Sequence, residues 1–243
     1  MSEMQSEQPA SQPSSFSELL DAFHEARVIG DFEEACRHIG LLRARNPSDP
    51  YLVQQHALVT YKGKSPNLLE ALQEALKILS EKLDPHESND PETLGLWGAI
   101  HKRLWEETDD RKHLDEAEWA YERGFYLRRD YYNGINFAFL LDVRAKLQQD
   151  PDEATADRII AKRVRRRVLK YVDDAITALP KDRNGKQNPE EVYWLNATRA
   201  EALMGLGDDV EFDRIKKSLF DSAPEAWMVE STENQLDSLR KLL

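Results

Sequence analysis

The sequence predicts an all-α fold in which helical hairpins stack side by side into a solenoid. The same spacing occurs twice, because Gly30-Asp31 precedes Pro47 by as many residues as Gly207-Asp208 precedes Pro224. A glycine lets one helix end, an aspartate caps the next helix, and a proline stops it. Elsewhere apolar residues recur every three or four positions, and Gly and Pro number only 10 and 11. These features indicate repeated hairpins of about 34 residues.

Applied along the chain, this pattern predicts five hairpins and a final helix that caps the solenoid. The second helix of the fourth hairpin, about 151–179, is predicted to exceed the usual repeat length, and 181–189 to form a loop. The turn of the third hairpin is expected to be enlarged, over 106–112. The predicted hairpins cover about 16–47, 51–83, 91–130, 131–179 and 192–224, and the final helix covers 226–242.

Composition sets the domain organisation. Residues 1–15 are rich in Ser, Gln, Glu and Pro, which predicts a disordered tail. Residues 16–243 are expected to form one array of five helical hairpins with a final capping helix, since hydrophobic residues make up 40% of the chain. The net charge of −12 argues mildly against general nucleic-acid binding without excluding a local basic site.

The sequence offers no signal for a membrane protein or a secreted one. No apolar run approaches the roughly 20 residues that a spanning helix needs, and the N-terminus lacks a basic segment followed by an apolar one. The single cysteine, Cys36, excludes an internal disulfide framework. We therefore expect a cytoplasmic protein without a membrane-spanning segment.

Enzymatic motifs are also missing. The sequence has neither a Gly-x-x-x-x-Gly-Lys phosphate loop nor a Gly-x-Ser-x-Gly elbow, and its six histidines lack metal-binding spacing. We expect no catalytic residue, no cofactor and no bound metal. The chain is interpreted as a non-enzymatic protein.

The hairpins resemble tetratricopeptide repeats. A narrower resemblance rests on the segments 92–102, 134–138 and 224–227, which begin Glu-Thr-Leu-Gly-Leu, Gly-Ile-Asn and Pro-Glu-Ala-Trp. They are similar to the tetratricopeptide-like TRAFs-binding domain, found in the central regulatory region of apoptosis signal-regulating kinases and in bacterial proteins. The likeness covers roughly residues 50–243. It implies a helical regulatory scaffold; the chain has no kinase domain, and no motif for TRAF binding can be matched.

Three polar residues are candidates for a site in the concave groove. Asn136 lies on the first helix of the fourth hairpin, where it either binds a partner peptide or bonds a neighbouring helix. Lys102 and Arg103, one hairpin earlier, are candidate groove cations or else solvated surface residues.

A second candidate is a basic stretch on the long helix of the fourth hairpin. No acidic residue interrupts it between Arg158 and Val172, and its basic residues are expected to cover the outward face and its flanks. Such a face attracts an acidic protein segment, phosphate groups or nucleic acid, unless acidic neighbours such as Asp157, Asp173 and Asp174 pair with it. The basic residues are Arg158, Lys162, Arg163, Arg165, Arg166, Arg167 and Lys170, of which Arg163, Arg166, Arg167 and Lys170 are the candidate partner-binding residues.

These features together predict a protein-interaction scaffold or regulatory module, set in a signalling assembly, with a protein or peptide partner. The alternative is a regulator that binds nucleic acid or a phosphorylated ligand through the basic stretch. Steep salt dependence distinguishes phosphate recognition from binding in an apolar groove.

Overall fold

The computed structural model describes residues 15–243, and its secondary structure confirms the all-α prediction. Within that range the only strand-like pairing is one isolated bridge between Lys181 and Gln187. The predicted disordered tail lies outside the described residues, apart from Ser15. The helices are α1 Phe16–Val28, α2 Phe32–Arg45, α3 Pro50–Gly63, α4 Leu68–Ser80, α5 Pro91–Thr108, α6 Arg111–Arg128, α7 Tyr131–Leu147, α8 Pro151–Ala178, α9 Pro189–Leu206, α10 Asp209–Asp221 and α11 Ala226–Arg240.

Helices α1 to α10 form the five predicted hairpins, and α11 follows them. Each odd-numbered helix packs on the helix that comes after it in its hairpin. The hairpins then stack because the second helix of each contacts the first helix of the next, and in addition α3 contacts α5, α5 contacts α7 and α7 contacts α9. Stacking of this kind places the first helices of all hairpins on one side of a solenoid.

Helix caps follow the chemistry of the turn residues. Asp31 and Asp208 cap α2 and α10, because their carboxylates accept the backbone N–H groups of Glu34 and Glu211. Gly207 ends α9 with φ +77°, the left-handed conformation that the sequence predicts there. Across α1 to α10 every N-cap is Ser, Asp or Asn with a side-chain bond to the helix; α11 begins at Glu225 with none.

The enlarged turn predicted for the third hairpin is wrong. Helix α5 continues to Thr108 and α6 begins at Arg111, so that only Asp109 and Asp110 connect them. Asp109 takes a left-handed conformation, and the Asp110 carboxylate accepts the N–H of Lys112. The polar residues that suggested a loop are the solvent-facing residues of two helix ends.

The hydrophobic core of residues 15–243 consists of three clusters of buried side chains. One joins α1, α2 and α3, a second joins α3, α4 and α5, and the largest joins α6 to α11. In α8 the predicted stripe of Val164, Val168 and Val172 is buried, with at most 2% of each residue exposed. Each hairpin thus depends on its neighbours for burial, as expected of stacked repeats.

Candidate functional site

Helix α11 lies across the first helices of the hairpins. At its start, the Trp227 indole donates to the Val28 carbonyl of α1 at 3.4 Å, and the ammonium of Lys62 in α3 lies 5.5 Å from the indole centre. At its end, the Lys146 ammonium of α7 donates to the Lys241 carbonyl at 3.1 Å. We call the surface of α1, α3, α5, α7 and α9 beneath α11 the inner groove.

A buried polar bridge fixes the middle of α11. The Lys102 ammonium of α5 donates to Gln235 Oε1 at 2.9 Å. The Gln235 Nε2 group donates to the Glu201 carboxylate of α9, also at 2.9 Å. The Lys102 ammonium also lies 4.0 Å from the centre of the Phe139 ring. Lys102 and Glu201 are only 6% and 7% exposed, so one amide from α11 satisfies two buried charged groups.

Burial shifts the pKa values of both charged partners of this bridge. It lowers the pKa of the Lys102 ammonium, while Glu106 and Glu201 act in the opposite direction. Burial raises the pKa of the Glu201 carboxyl, which the Gln235 hydrogen bond and Lys102 partly offset. The bridge therefore contains two desolvated charges, and Gln235 supplies part of their compensation.

One face of α11 packs against α9. Tyr193 of α9 donates its hydroxyl to the Met228 carbonyl at 3.0 Å, and its oxygen lies 2.9 Å from Thr232 Oγ1. Met228, Thr232 and the two leucines Leu236 and Leu239 are buried. Their spacing of three or four residues makes one continuous stripe, so α11 is an amphipathic helix seated in the inner groove.

The three predicted groove residues have different surroundings. Lys102 is the central residue of the polar bridge. Arg103 is half-buried, with its guanidinium 5.1 Å from the Tyr61 ring and a bond to the Ala99 carbonyl. Asn136 is also half-buried, and its amide donates to the Tyr132 carbonyl one turn earlier in its own helix. The structure thus joins Lys102 to α11 and leaves Asn136 bonded within α7.

A different asparagine joins neighbouring hairpins. Asn133 is fully buried, and its amide donates to the Pro91 carbonyl at the start of α5 and to Asp130. Gly124 of α6 leaves room for it, since a Cβ there would lie 2.5 Å from the Asn133 side chain. The stacking role considered for Asn136 belongs to Asn133.

Most of the predicted basic face is exposed on α8, but Arg165 is not part of it. Arg165 is fully buried, paired with Asp142 of α7 at 2.6 Å, and its guanidinium lies where a side chain on Gly205 would project. The prediction that it points outward is wrong, because its position belongs to the side of α8 that packs on α7 and α9. Arg158, Lys162, Arg163, Arg166, Arg167 and Lys170 are exposed.

Two of the three acidic neighbours considered as partners of the basic face pair with other arginines. Asp157 pairs with Arg144 of α7, and Asp173 pairs with Arg199 of α9. Within residues 15–243, neither Arg163 nor Arg167 forms an ion pair. The positive charge on this face is therefore not neutralised by ion pairs with those aspartates.

Arg163 and Arg167 line a cleft of about 320 Å³ between α6 and α8. Side chains of α7 also line it, and its α6 wall carries Tyr126, which is 52% exposed, together with Glu118 and Glu122. Glu118 pairs with Arg144, and burial raises the pKa of its carboxyl. The cleft thus combines two exposed guanidinium groups with one exposed aromatic ring, that of Tyr126.

The sequence pattern did not identify Tyr193, Glu201, Trp227 or Gln235 as site residues. Each lies on a helix with regular apolar spacing, where a polar residue looks like any other solvent-facing position. The one available signal is the absence of a capping side chain before α11, which marks a helix held by tertiary contacts.

Two further classes of site are absent from the part of the chain that the structure describes. No three His, Cys, Asp or Glu side chains of residues 15–243 are grouped so that they could hold a metal ion. None of the helices there combines the length and apolar character required to cross a bilayer.

Comparison with known proteins places the fold. The family model described as Tetratricopeptide Repeats-Sensor (TPR-S) matches residues 31–141. A crystal structure of a thermophilic TPR protein in Thermus thermophilus aligns with a TM-score of 0.55 and 13% identity, covering 93% of this chain and 98% of that one. The crystal structure of the MamA protein aligns with a TM-score of 0.43 and 12% identity, covering 85% of this chain and 91% of that one. No curated protein matches the sequence.

The match and the thermophilic structure support a tetratricopeptide-like helical-hairpin solenoid. Folds of this type generally serve as non-catalytic modules for protein–protein interaction.

Proposed function

We propose that this tetratricopeptide-like chain is a non-enzymatic scaffold that binds a segment of a partner protein in its inner groove, within a cytoplasmic regulatory or signalling assembly. The observation that carries the proposal is the seat of α11, because an amphipathic helix already lies there on aromatic, apolar and charged side chains of the stacked hairpins. In this proposal residues 16–243 act as one unit. The resemblance to the TRAFs-binding domain supports the regulatory setting.

Affinity capture from the source cells, with the bound proteins identified by mass spectrometry, tests this proposal. Lys102→Met removes the charge at the centre of the groove and keeps the apolar stem, so we expect at least about tenfold less partner to be retained. Lys112→Met, at an exposed site on α6, is the matched control and should retain the partner as the wild type does. Asn136→Ala and Arg103→Met extend the test to the other predicted groove residues. Equal capture by all variants, with helical content unchanged, would contradict groove binding.

The second candidate function is binding of an acidic or phosphorylated ligand to the exposed face of α8. It is favoured by the cleft beside Arg163 and Arg167 and by the pairing of Asp157 and Asp173 with other arginines. Guanidinium groups hold phosphate through charge-assisted bonds, and an aromatic wall suits a phosphorylated side chain or a base.

Charge removal on α8 tests this candidate. Changing Arg163, Arg166, Arg167 and Lys170 to Gln should weaken binding of a labelled acidic phosphopeptide and remove much of its salt dependence. An oligonucleotide of similar charge distinguishes nucleic acid from phosphopeptide as the ligand. Binding by the variant that equals wild-type binding at both low and high salt would eliminate this face as a site.

A further inference from the structure

Helix α11 occupies the groove that the proposed partner would need. It contacts α1 and α3 at one end and α7 at the other, and Gln235 supplies the amide that bridges Lys102 and Glu201. A partner segment can reach these buried groups only after α11 has moved.

The connections of α11 allow it to leave without unfolding a hairpin. It is joined to α10 by residues 222–225, and it packs on α9 and not on a hairpin partner of its own. Among the eleven helices of residues 15–243 it alone begins without a side-chain cap, so its helical state depends on the groove.

Departure of α11 would uncover a site with defined chemistry. The hydroxyl of Tyr193, the carboxylate of Glu201 and the ammonium of Lys102, which lies beside the Phe139 ring, would face solvent. Groups of these types need hydrogen-bonding partners when they are covered again. The groove therefore fits only a segment that supplies what α11 supplies.

We infer that α11 is an internal ligand of the inner groove and that the partner of the proposed function carries an amphipathic helix that replaces it. The replacing helix has the pattern of α11: an aromatic residue at the position of Trp227, an apolar residue next, a hydroxyl four residues later, an amide at the position of Gln235 and a leucine four residues after that. The aromatic residue occupies the place between Val28, Phe32 and Lys62. The amide bridges Lys102 and Glu201.

A synthetic, labelled peptide of residues 225–243 tests this inference by fluorescence anisotropy on the full-length protein. A full-length variant with Met228→Ala and Leu239→Ala keeps the groove intact and weakens its own α11. It should bind the peptide at least about tenfold tighter than the wild type, because the internal competitor is weakened. Asn234→Ala, on the exposed face of α11, is the matched control and should bind as the wild type does. A peptide with Gln235→Leu should bind the weakened variant less tightly.

Equal peptide binding by the three proteins, with the weakened variant still helical, would overturn the inference. If the weakened variant unfolds, the inference is tested instead by comparing amide hydrogen exchange of α11 and α9 in the wild-type protein. Amides of α11 should then exchange at least about tenfold faster than those of α9, and equal protection would overturn the inference. Light scattering checks whether the weakened variant forms a dimer with exchanged α11 helices. Such a dimer would show that a second copy of this chain occupies the groove, and it would refute the inference that a helix of a different protein does so.

The inference rests on the proposed function, but the two fail in different experiments. One outcome is that the weakened variant binds the peptide more tightly than the wild type, while Lys102→Met captures every partner protein as well as the wild type does. That outcome would support α11 as an internal ligand and contradict the proposed function. The opposite outcome is that Lys102→Met loses a partner protein, while the weakened variant and the wild type bind the peptide equally. That outcome would support the proposed function and overturn the inference.

Discussion

At the scale of single residues, Gly207 shows how closely the turn geometry follows the sequence. Its φ of +77° lies in the left-handed region, and a Cβ there would meet no neighbouring atom within 4 Å. Any penalty for a substitution therefore comes from the backbone conformation and not from a clash with another helix.

We predict that Gly207→Val lowers the free energy of unfolding by about 1–2 kcal/mol. Gly40→Ala is the control, because Gly40 lies inside α2 with open space around it and should be neutral or stabilising by up to about 1 kcal/mol. Urea denaturation of both variants measures the difference. Unchanged midpoints for Gly207→Val would contradict a strained turn at this position.

His101 illustrates a titratable group whose environment only the fold creates. Its Nδ1 lies 2.9 Å from Nδ1 of His113, and its ring centre lies 4.6 Å from that of Trp97. Burial lowers the pKa of His101 to about 3, and the charges of His113 and His86 act in the same direction.

This lowered pKa predicts acid sensitivity. Below about pH 6.5 the unfolded chain binds a proton at His101 and the folded protein does not, so stability falls as the pH drops toward 3. The slope from this residue is about 1.4 kcal/mol per pH unit. His101→Gln should therefore show a smaller loss of unfolding free energy between pH 6 and pH 4 than the wild type. Parallel stability curves for the two proteins would refute the assignment.

At the scale of helices, the pair formed by Arg165 and Asp142 joins α8 to α7 inside the core. Both side chains are buried, and burial raises the pKa of the Asp142 carboxyl while Arg165 lowers it. Removal of one partner leaves the other charge buried without compensation.

We expect Asp142→Ala to destabilise the protein by about 3–5 kcal/mol. The double variant Asp142→Leu with Arg165→Met removes both charges and should recover most of that loss. Thermal and urea unfolding of the two variants provide the measurement. A double variant as unstable as the single one would show that packing, and not the unpaired charge, sets the cost.

At the scale of the whole molecule, the two ends of the solenoid approach each other. Arg27 of α1 lies 3.6 Å from Glu190 of α9, and Trp227 of α11 contacts Val28 and Phe32 of the first hairpin. Helix α11 thereby connects the first hairpin to the fifth, which a linear stack of repeats does not require.

The tail composition predicts that residues 1–14 are dispensable for folding. Their deletion should leave the melting temperature unchanged within error. Ser15→Ala is the contrasting variant, because Ser15 caps α1 with a reciprocal bond to Glu18, and its loss should cost about 1 kcal/mol. A clear drop in melting temperature on deletion of 1–14 alone would contradict the prediction.

The sequence by itself determined the hairpins, their caps and the long helix of the fourth hairpin. These features depend on neighbours within a few residues: Asp208 caps the helix that starts beside it, and Gly207 supplies its own backbone freedom. Local spacing also predicted that Val164 and Val168 are buried and that the neighbouring arginines of α8 are exposed, which holds for those arginines apart from Arg165.

Only the tertiary structure decided where α11 lies and which charges are buried. Lys102 and Gln235 are 133 positions apart, and nothing in the spacing of either helix distinguishes their contact from solvation. Arg165 likewise occurs among six exposed basic residues, and only the approach of α7 and α9 makes it internal. A polar side chain has the same helical periodicity whether it faces water or a buried partner, because the partner is supplied by a distant part of the chain.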